Sequence, residues 1–203
     1  MSAYQPSGAL QQQIVDAFRS ATYVDNRMDV QHTPIYDTVT IAAGGSLSTL
    51  TSAFFTNVGP ASNKTLAQCN MTQSQRLAAP EAFSIFSISL RISENILEAD
   101  LITIMNNFAL SFWLGQKKYN LAPVWHYPAG GGIWASADAS TFANGFPSRE
   151  AVLNLAVPIV IENQMTFFAQ LEGTAQTLTA GGGGGTGATL VLKLDGLYAR
   201  GVQ

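Results

Sequence analysis

The chain has 203 residues, of which only 11% are charged, and its formal net charge is −3. A single cysteine, Cys69, excludes an internal disulfide and a zinc site built from several cysteines. The small negative charge, without a run of Lys or Arg, excludes a basic surface that follows nucleic-acid phosphates.

The low charge itself favours self-assembly. Ordinary domains carry about 25% Asp, Glu, Lys and Arg, so much of this surface has to be finished with Ser, Thr, Asn, Gln, Ala and Gly. Charged residues are depleted at the cores of protein interfaces, and a subunit covered by its own copies needs little charge to stay dispersed. The N-terminus has neither the basic start nor the apolar stretch of a signal peptide, and no run of 18 apolar residues occurs. We therefore expect synthesis in a cytoplasm.

The first predicted element is a short helix over Ala9–Ser20, whose apolar stripe contains Leu10, Ile14 and Phe18. Together with the Gln- and Ser-rich start it predicts an N-terminal arm over residues 1–32. Two interpretations stay open, because the helix can dock on a neighbouring copy or pack on its own body.

Strand patterns begin after Thr33. Residues 36–41 alternate as a strand and end before Gly44-Gly45, residues 46–58 can form a strand or a loop, and residues 59–75 are polar and turn-like. In 86–92 the apolar side chains alternate with Ser, Ser and Arg, which predicts a strand with one buried and one polar face, as in antiparallel sheets.

A second helix is predicted over residues 93–107, with Ser93 as its N-cap. The apolar positions that it is expected to bury are Ile96, Leu97, Leu101, Ile104 and Met105. A hairpin follows, with strands at 108–114 and 117–121 around a turn at Gly115-Gln116. Residues 123–134 contain prolines, glycines and aromatic residues and predict an ordered loop.

The last third predicts three more strands, at residues 152–162, 165–171 and 188–198, with a hairpin turn at Asn163-Gln164 and a five-glycine loop at 181–185. Pro158 indicates an edge strand or a bulge. The alternation predicts that one core is lined by Ile88, Leu90, Ile92, Leu155, Val157, Ile159, Phe167, Leu190, Leu192 and Leu194.

Recurrent strands with long connections and few helices indicate an all-β protein rather than repeated βαβ units. The predicted fold is an antiparallel β-sandwich, as a single jelly roll with one or two short helices. Its body is a single domain over residues 33–203.

The sequence offers no convincing catalytic, cofactor or metal site. Gly182 and Gly187 have phosphate-loop spacing, but Ala188 stands where the phosphate-binding lysine is required. A Cys69–His126 dyad has no basic neighbour in the sequence to activate the thiol beyond Lys64. Glu94, Glu98 and Asp100 lie close together in sequence, but their charges suit the start of a helix. We therefore predict no enzyme activity, no catalytic residue, no cofactor and no metal.

Aromatic residues are concentrated between positions 113 and 134, at Trp113, Trp125, Tyr127 and Trp134. Such residues can stack on sugars, but they are also enriched in protein interfaces and cores. No acidic or Asn side chains converge on them in the sequence, which favours an interface or a core over a sugar site. The candidate interface residues are Leu10, Ile14, Phe18, Trp125, Tyr127 and Trp134.

Three segments together resemble virion structural proteins of bacteriophages. They are FWLGQKKYNLAPVWHYPAGGGIWA (112–135), AVPIVIENQMTFFAQLEG (156–173) and LVLKLDGLYARGVQ (190–203). The likeness is to small jelly-roll capsid or coat subunits of tailless, sometimes lipid-containing phages, and it covers about half of the chain.

The resemblance implies a capsid or coat subunit located in the virion, made in the host cytoplasm, whose partners are copies of itself and other virion proteins. It implies no catalytic residues. The alternative from another functional class is a carbohydrate- or receptor-binding spike module on the same scaffold.

Overall fold

The structure, a computed structural model, describes residues 28–59, 62–92, 96–127, 133–135, 142–144 and 152–201. The helix expected at Ala9–Ser20, with the candidate interface residues Leu10, Ile14 and Phe18, lies outside this part of the chain. Residues 28–32, assigned by sequence to the arm, form a strand that pairs with the C-terminal strand. These five residues therefore belong to the β body.

The described residues are mostly β-strands, with one α-helix and two short 3-10 turns at Val124–His126 and Gly181–Gly183. The strands and the helix, in chain order, are β1 (Met28–His32), β2 (Ile35–Ile41), β3 (Ser46–Leu47), β4 (Ala82–Ile92), α1 (Glu98–Asn107), β5 (Phe108–Leu114), β6 (Lys117–Pro123), β7 (Ile133–Ala135), β8 (Phe142–Asn144), β9 (Asn154–Ile161), β10 (Phe167–Gly173), β11 (Gln176–Thr177) and β12 (Ala188–Gly201).

Two larger sheets organise the body. In the five-stranded sheet the order is β1-β12-β4-β9, and β2 also pairs with β12. The second sheet has the order β10-β5-β6, and the pairs β11-β3 and β7-β8 are small additions. Every one of these pairings is antiparallel. The 14-residue strand β12 is long enough to pair with β1 and β2 in turn along one edge and with β4 along the other.

One hydrophobic core joins the two sheets. Leu190, Leu192 and Leu194 of β12 are fully buried, and they share a core with Phe112 of β5 and Phe167 of β10. Of the ten residues predicted to line this core, the eight that are buried in it are Ile88, Leu90, Ile92, Ile159, Phe167, Leu190, Leu192 and Leu194. Leu155 is partly buried against the same core.

The prediction for Val157 is wrong, because its side chain is 76% exposed. Strand β9 pairs with β4 at Ile159↔Ile85 and again at Asn154↔Ser87, so the register shifts between these pairs. The extra residues of β9 in between bulge away from the ladder, and strict alternation is lost there. Pro158 lies in this bulge of an edge strand, which confirms the interpretation of that proline.

Strand β4 also departs from its predicted pattern. Ser84, Ser87 and Ser89 are buried, although the alternation assigned Ser87 and Ser89 to a polar face. In the ladder Ser87 lies opposite Asp195 and Ser89 lies opposite Lys193. Because cross-strand neighbours stand about 5 Å apart, these longer side chains of β12 can cover the short serines.

The two predicted turns have different roles, one within a sheet and one between the sheets. Gly115-Gln116 joins β5 and β6 as a hairpin, as predicted. A turn also forms at Asn163-Gln164, where the Met165 backbone N–H donates to the Glu162 carbonyl. This second turn is not a hairpin, because β9 belongs to the five-stranded sheet and β10 to the three-stranded one. The connection therefore carries the chain from one side of the core to the other.

Helix α1 begins at Glu98, later than predicted, with Leu97 as its N-cap and no side-chain cap. Its buried face contains Leu101 and Ile104, as expected from the sequence, and also Asp100. Ile96, just before the helix, is buried as well.

Candidate functional site

Trp113 lies on the outer face of the three-stranded sheet, with both faces of its ring covered. The ring of Phe168 stacks at 5.9 Å between centroids and 6° between planes, and Lys118 Nζ lies 4.9 Å from the centroid of the indole. Phe168 and Lys118 are the residues paired with Trp113 on its two neighbouring strands, so they flank it from opposite sides. A sugar that stacked on this indole would therefore compete with Phe168 or Lys118.

The polar groups around Trp113 find partners within the same sheet. Lys118 Nζ donates to Glu172 Oε2 at 2.8 Å, and Trp113 Nε1 donates to Ser111 Oγ at 3.1 Å. Burial alone would raise the pKa of Glu172, but hydrogen bonds with Lys118, Ser111 and Gln170 outweigh it and lower the pKa below its usual value. The cluster therefore stabilises the sheet surface and presents little unpaired charge.

Trp125 and Tyr127 are two residues apart but lie in different surroundings. Trp125, in the 3-10 turn after β6, is 58% exposed, whereas Tyr127 is only 1% exposed and belongs to the core. Burial raises the pKa of the Tyr127 phenol to about 12, although a hydrogen bond with the Ala122 backbone lowers it in part. The Tyr127 carbonyl also accepts a hydrogen bond from Leu90 of β4. Tyr127 is thus a residue of the core and leaves almost no surface for a partner to contact.

Two further large side chains are exposed on the strand that precedes Trp125 in the chain. Tyr119 and Leu121 of β6 are 46% and 52% exposed, and β6 is an edge strand of its sheet. Sequence reasoning missed both residues, because strand alternation does not distinguish an exposed face from a buried one. We call Tyr119, Leu121 and Trp125 the β6 surface. Trp134, the other candidate, lies on β7 opposite Ala143 of β8.

A buried ion pair connects β2 with the following loops. Asp37 has no exposed surface, and its Oδ1 lies 2.7 Å from Lys64 Nζ. Its Oδ2 accepts the backbone N–H of Phe55 at 2.7 Å. Phe55 has a left-handed backbone with φ 64°, a rare conformation for a bulky residue, so this hydrogen bond helps to hold it.

Cys69 lies beside this ion pair and is not activated. Its side chain is buried, and β2 bridges to it at Asp37. Burial raises the pKa of the Cys69 thiol to about 11, and the nearby Asp37 carboxylate raises it further, while the backbone of Met71 and Lys64 act in the opposite direction. A catalytic cysteine requires a lowered pKa, and the burial of Cys69 acts in the opposite direction.

This environment makes Cys69 slow to react. At pH 8 a thiol with a pKa near 11 is about 0.1% ionised, and only the thiolate is nucleophilic. We expect iodoacetamide to leave the folded protein unmodified over hours and to alkylate Cys69 rapidly in guanidinium, as measured by intact mass. Rapid modification of the folded protein would contradict the buried placement.

A serine, a histidine and an aspartate come near one another at β1, β4 and β12, but they do not form a triad. His32 Nε2 lies 3.3 Å from Asp195 Oδ1, and Lys193 Nζ lies 3.3 Å from Asp195 Oδ2. Ser87 is opposite Asp195, but its Oγ is buried without a hydrogen-bond partner in the described part of the chain. A nucleophilic serine needs a hydrogen-bonded base, and Ser87 has none.

Asp100 has a structural role. Its carboxylate accepts hydrogen bonds from the Thr179 backbone N–H at 3.0 Å and from Thr179 Oγ1 at 2.9 Å. Within the described residues no group of three His, Cys, Asp or Glu side chains is arranged to hold a metal ion. Of the three acidic residues considered, Glu94 lies outside the described part.

The Asp100–Thr179 contact anchors the start of the glycine loop. The loop leads into strand β12, whereas a phosphate-binding loop leads into a helix. At Gly185 a Cβ would lie 1.8 Å from the Thr179 carbonyl oxygen, which explains why a side chain is not tolerated there. The five glycines at 181–185 thus form a turn that leads into β12, and their role is structural.

A polar cleft of about 430 Å³ lies beside β2, between the loop segments 50–57 and 62–68. Sequence reasoning did not find it, because its walls come from loops without periodic patterning. Asn57, Asn63 and Gln68 line it together with Thr40 and Lys64.

Among the described residues no helix is long and apolar enough to cross a membrane. Comparisons with protein-family models, with curated proteins and with solved structures found no match to this chain.

Proposed function

We propose that this chain is a structural subunit of a virion shell that assembles through contacts with copies of itself. The observation that carries the proposal is the β6 surface: three large apolar or aromatic side chains, about half exposed, on a protein with only 11% charged residues. Aromatic residues are enriched at interface cores, where charged residues are depleted. On this proposal the two sheets form a β-sandwich of jelly-roll type.

The edge strands β6 and β9 favour contacts made by side chains over strand addition. Strand β6 carries Lys117, Lys118 and Pro123, and the edge strand β9 carries Pro158 within its bulge. Lysine, proline and bulges on an edge strand hinder pairing with another chain. Copies of the subunit would therefore meet through the β6 surface and not by extending a sheet.

Lys118, next to the β6 surface, is paired with Glu172. Lys117 Nζ lies 4.7 Å from the centroid of the Tyr119 ring, which attracts the cation but leaves its positive charge in place. A neighbouring copy would therefore meet the charge of Lys117 beside this surface. The proposed location is the virion, with synthesis in the host cytoplasm and with further virion proteins as additional partners.

We expect assembly to survive about 1 M salt and to be lost in Trp125→Ala and Leu121→Ala with the fold retained. High salt reduces the Debye length to roughly 3 Å and weakens exposed ion pairs, but it leaves apolar burial intact. Light scattering measures the assembly, and circular dichroism verifies the fold.

The matched control is Leu66→Ala, which truncates a leucine of 80% exposure away from β6 and should assemble normally. The role of the β6 surface would be refuted by two results together. These are dissociation of the oligomer at about 1 M salt and normal assembly of Trp125→Ala and Leu121→Ala. A stable monomer at all concentrations would refute the proposed function itself.

A further inference from the structure

The polar cleft beside β2 lies in a part of the chain that has little regular secondary structure. Between β3 and β4 the described residues form no strand or helix beyond isolated bridges and a short turn. Long irregular segments within compact domains are uncommon and are often functional binding loops. The volume of about 430 Å³ lies within the range of roughly 300–1,000 Å³ for small-molecule sites.

The walls of the cleft are held in place by side-chain to backbone hydrogen bonds. Thr38 Oγ1 donates to the Gln68 carbonyl at 2.8 Å, and Gln68 Oε1 accepts the Thr65 backbone N–H at 2.9 Å. On the other wall Thr56 Oγ1 donates to the Ala53 carbonyl at 3.1 Å. These bonds fix the loops before any ligand binds, which reduces the entropy lost on binding.

Three polar side chains in the cleft take no part in the hydrogen bonds that hold its walls. Thr40, Asn57 and Asn63 line it; all three are exposed to solvent, and their side chains make no hydrogen bond to other described residues. Asn63 has a left-handed backbone with φ 56°, which directs the chain at the rim. Together they offer one hydroxyl and two amides, which supply both donors and acceptors.

The charge of the cleft is balanced. Lys64 is its only cation among the described residues, and the buried Asp37 carboxylate already pairs with it at 2.7 Å. No carboxylate lines the cleft among those residues. An anion would have to compete with Asp37 for Lys64, and a cation would find no partner. A neutral ligand with many hydroxyl groups fits best.

We infer that this cleft binds a neutral saccharide. Thr40, Asn57 and Asn63 hydrogen-bond its hydroxyl groups, and Leu50, which lines the rim and is 93% exposed, contacts the apolar C–H face of the ring. This site is separate from the aromatic residues between 113 and 134, and it does not depend on self-assembly.

The test is a titration of the ¹⁵N-labelled full chain with methyl glycosides of glucose, galactose, mannose, N-acetylglucosamine and N-acetylgalactosamine, followed by amide chemical shifts. At least one glycoside should shift the amides of residues 38–40, 50–57 and 62–68 in a saturable manner. Asn57→Ala and Thr40→Val should each weaken this binding by about tenfold, equivalent to about 1.4 kcal/mol. Thr174→Val, an exposed threonine between β10 and β11, is the matched control and should bind like the parent.

Three outcomes would overturn the inference: no shift with any of the five glycosides, shifts that persist unchanged in both cleft variants, or shifts centred on Trp125. Inorganic phosphate and sulfate form a separate arm of the experiment. If these anions shift the cleft amides and the glycosides do not, the cleft is an anion site at Lys64. Thermal unfolding of each variant verifies the fold, and light scattering separates a failure of binding from a failure of assembly.

Discussion

Replacing Asp37 with alanine is expected to lower the free energy of unfolding by about 3–5 kcal/mol, the cost of breaking a buried ion pair. Asp37 has no exposed surface and serves two groups, Lys64 and the backbone N–H of Phe55. Alanine leaves that N–H without its acceptor, and it removes the hydrogen bond that holds Phe55 in its left-handed conformation. Phe55 packs against Phe167, with 5.4 Å between ring centroids, so the disturbance reaches the core.

Urea unfolding of the purified protein measures this effect. Asp37→Asn keeps an oxygen that can accept from Phe55 but loses the charge, so its cost should be intermediate. The surface ion pair of Lys118 and Glu172 is the control, because both side chains are 29% exposed. Glu172→Ala should cost less than about 1 kcal/mol. If Asp37→Ala and Glu172→Ala cost the same, the ion pair at Asp37 is not buried in solution.

Strands with simple local patterns could be predicted from the sequence. The bounds of β5 and the start of β12 agree with the predicted segments, and β2 contains residues 36–41. In these strands the side chains that alternate inward meet a continuous core, so the period of two is preserved. The turn at Gly115-Gln116 has an equally local cause, since Gly115 has a φ of 59° that favours glycine.

The errors arise where distant parts of the chain decide the outcome. Val157 has the phase of a core residue, but the shift in register against β4 turns it outward. Ser87 and Ser89 have the phase of a solvent-facing row, but Asp195 and Lys193 stand opposite them on β12. Both cases depend on pairing with strands far away in sequence, which no local pattern contains.

The candidate sites show the same limit. In β2, Asp37 lies on the same face as Val39 and Ile41. An acidic residue on an apolar face indicates a buried carboxylate that needs a partner. Its partner Lys64 lies 27 residues away in an irregular loop, so the pair becomes visible only in the fold. Likewise the 3-10 turn at 124–126 leaves Trp125 exposed and Tyr127 buried, a separation that the composition of the loop did not predict.

Leu192→Ala is expected to cost about 2–5 kcal/mol, as for other fully buried leucines. Leu192 lies at the middle of the five-stranded sheet, opposite Asp37 on β2 and Leu90 on β4, with no exposed surface. Both neighbouring strands hold the backbone in place there, so the structure can collapse only partly around the missing atoms. The residual cavity adds to the lost transfer free energy.

Two controls make this prediction specific to the fold. Leu66→Ala removes the same atoms from a side chain that is 80% exposed, and Val157→Ala changes a residue that the alternation assigned to the core but that is 76% exposed. Both should lie within about 0.5 kcal/mol of the parent. Chemical unfolding of the purified protein measures all three. If Val157→Ala costs more than about 1.5 kcal/mol, strand β9 keeps its alternation and the register shift beside Pro158 is absent in solution. If Leu192→Ala leaves unfolding unchanged, β12 does not carry the core, because a fully buried leucine cannot be truncated without cost.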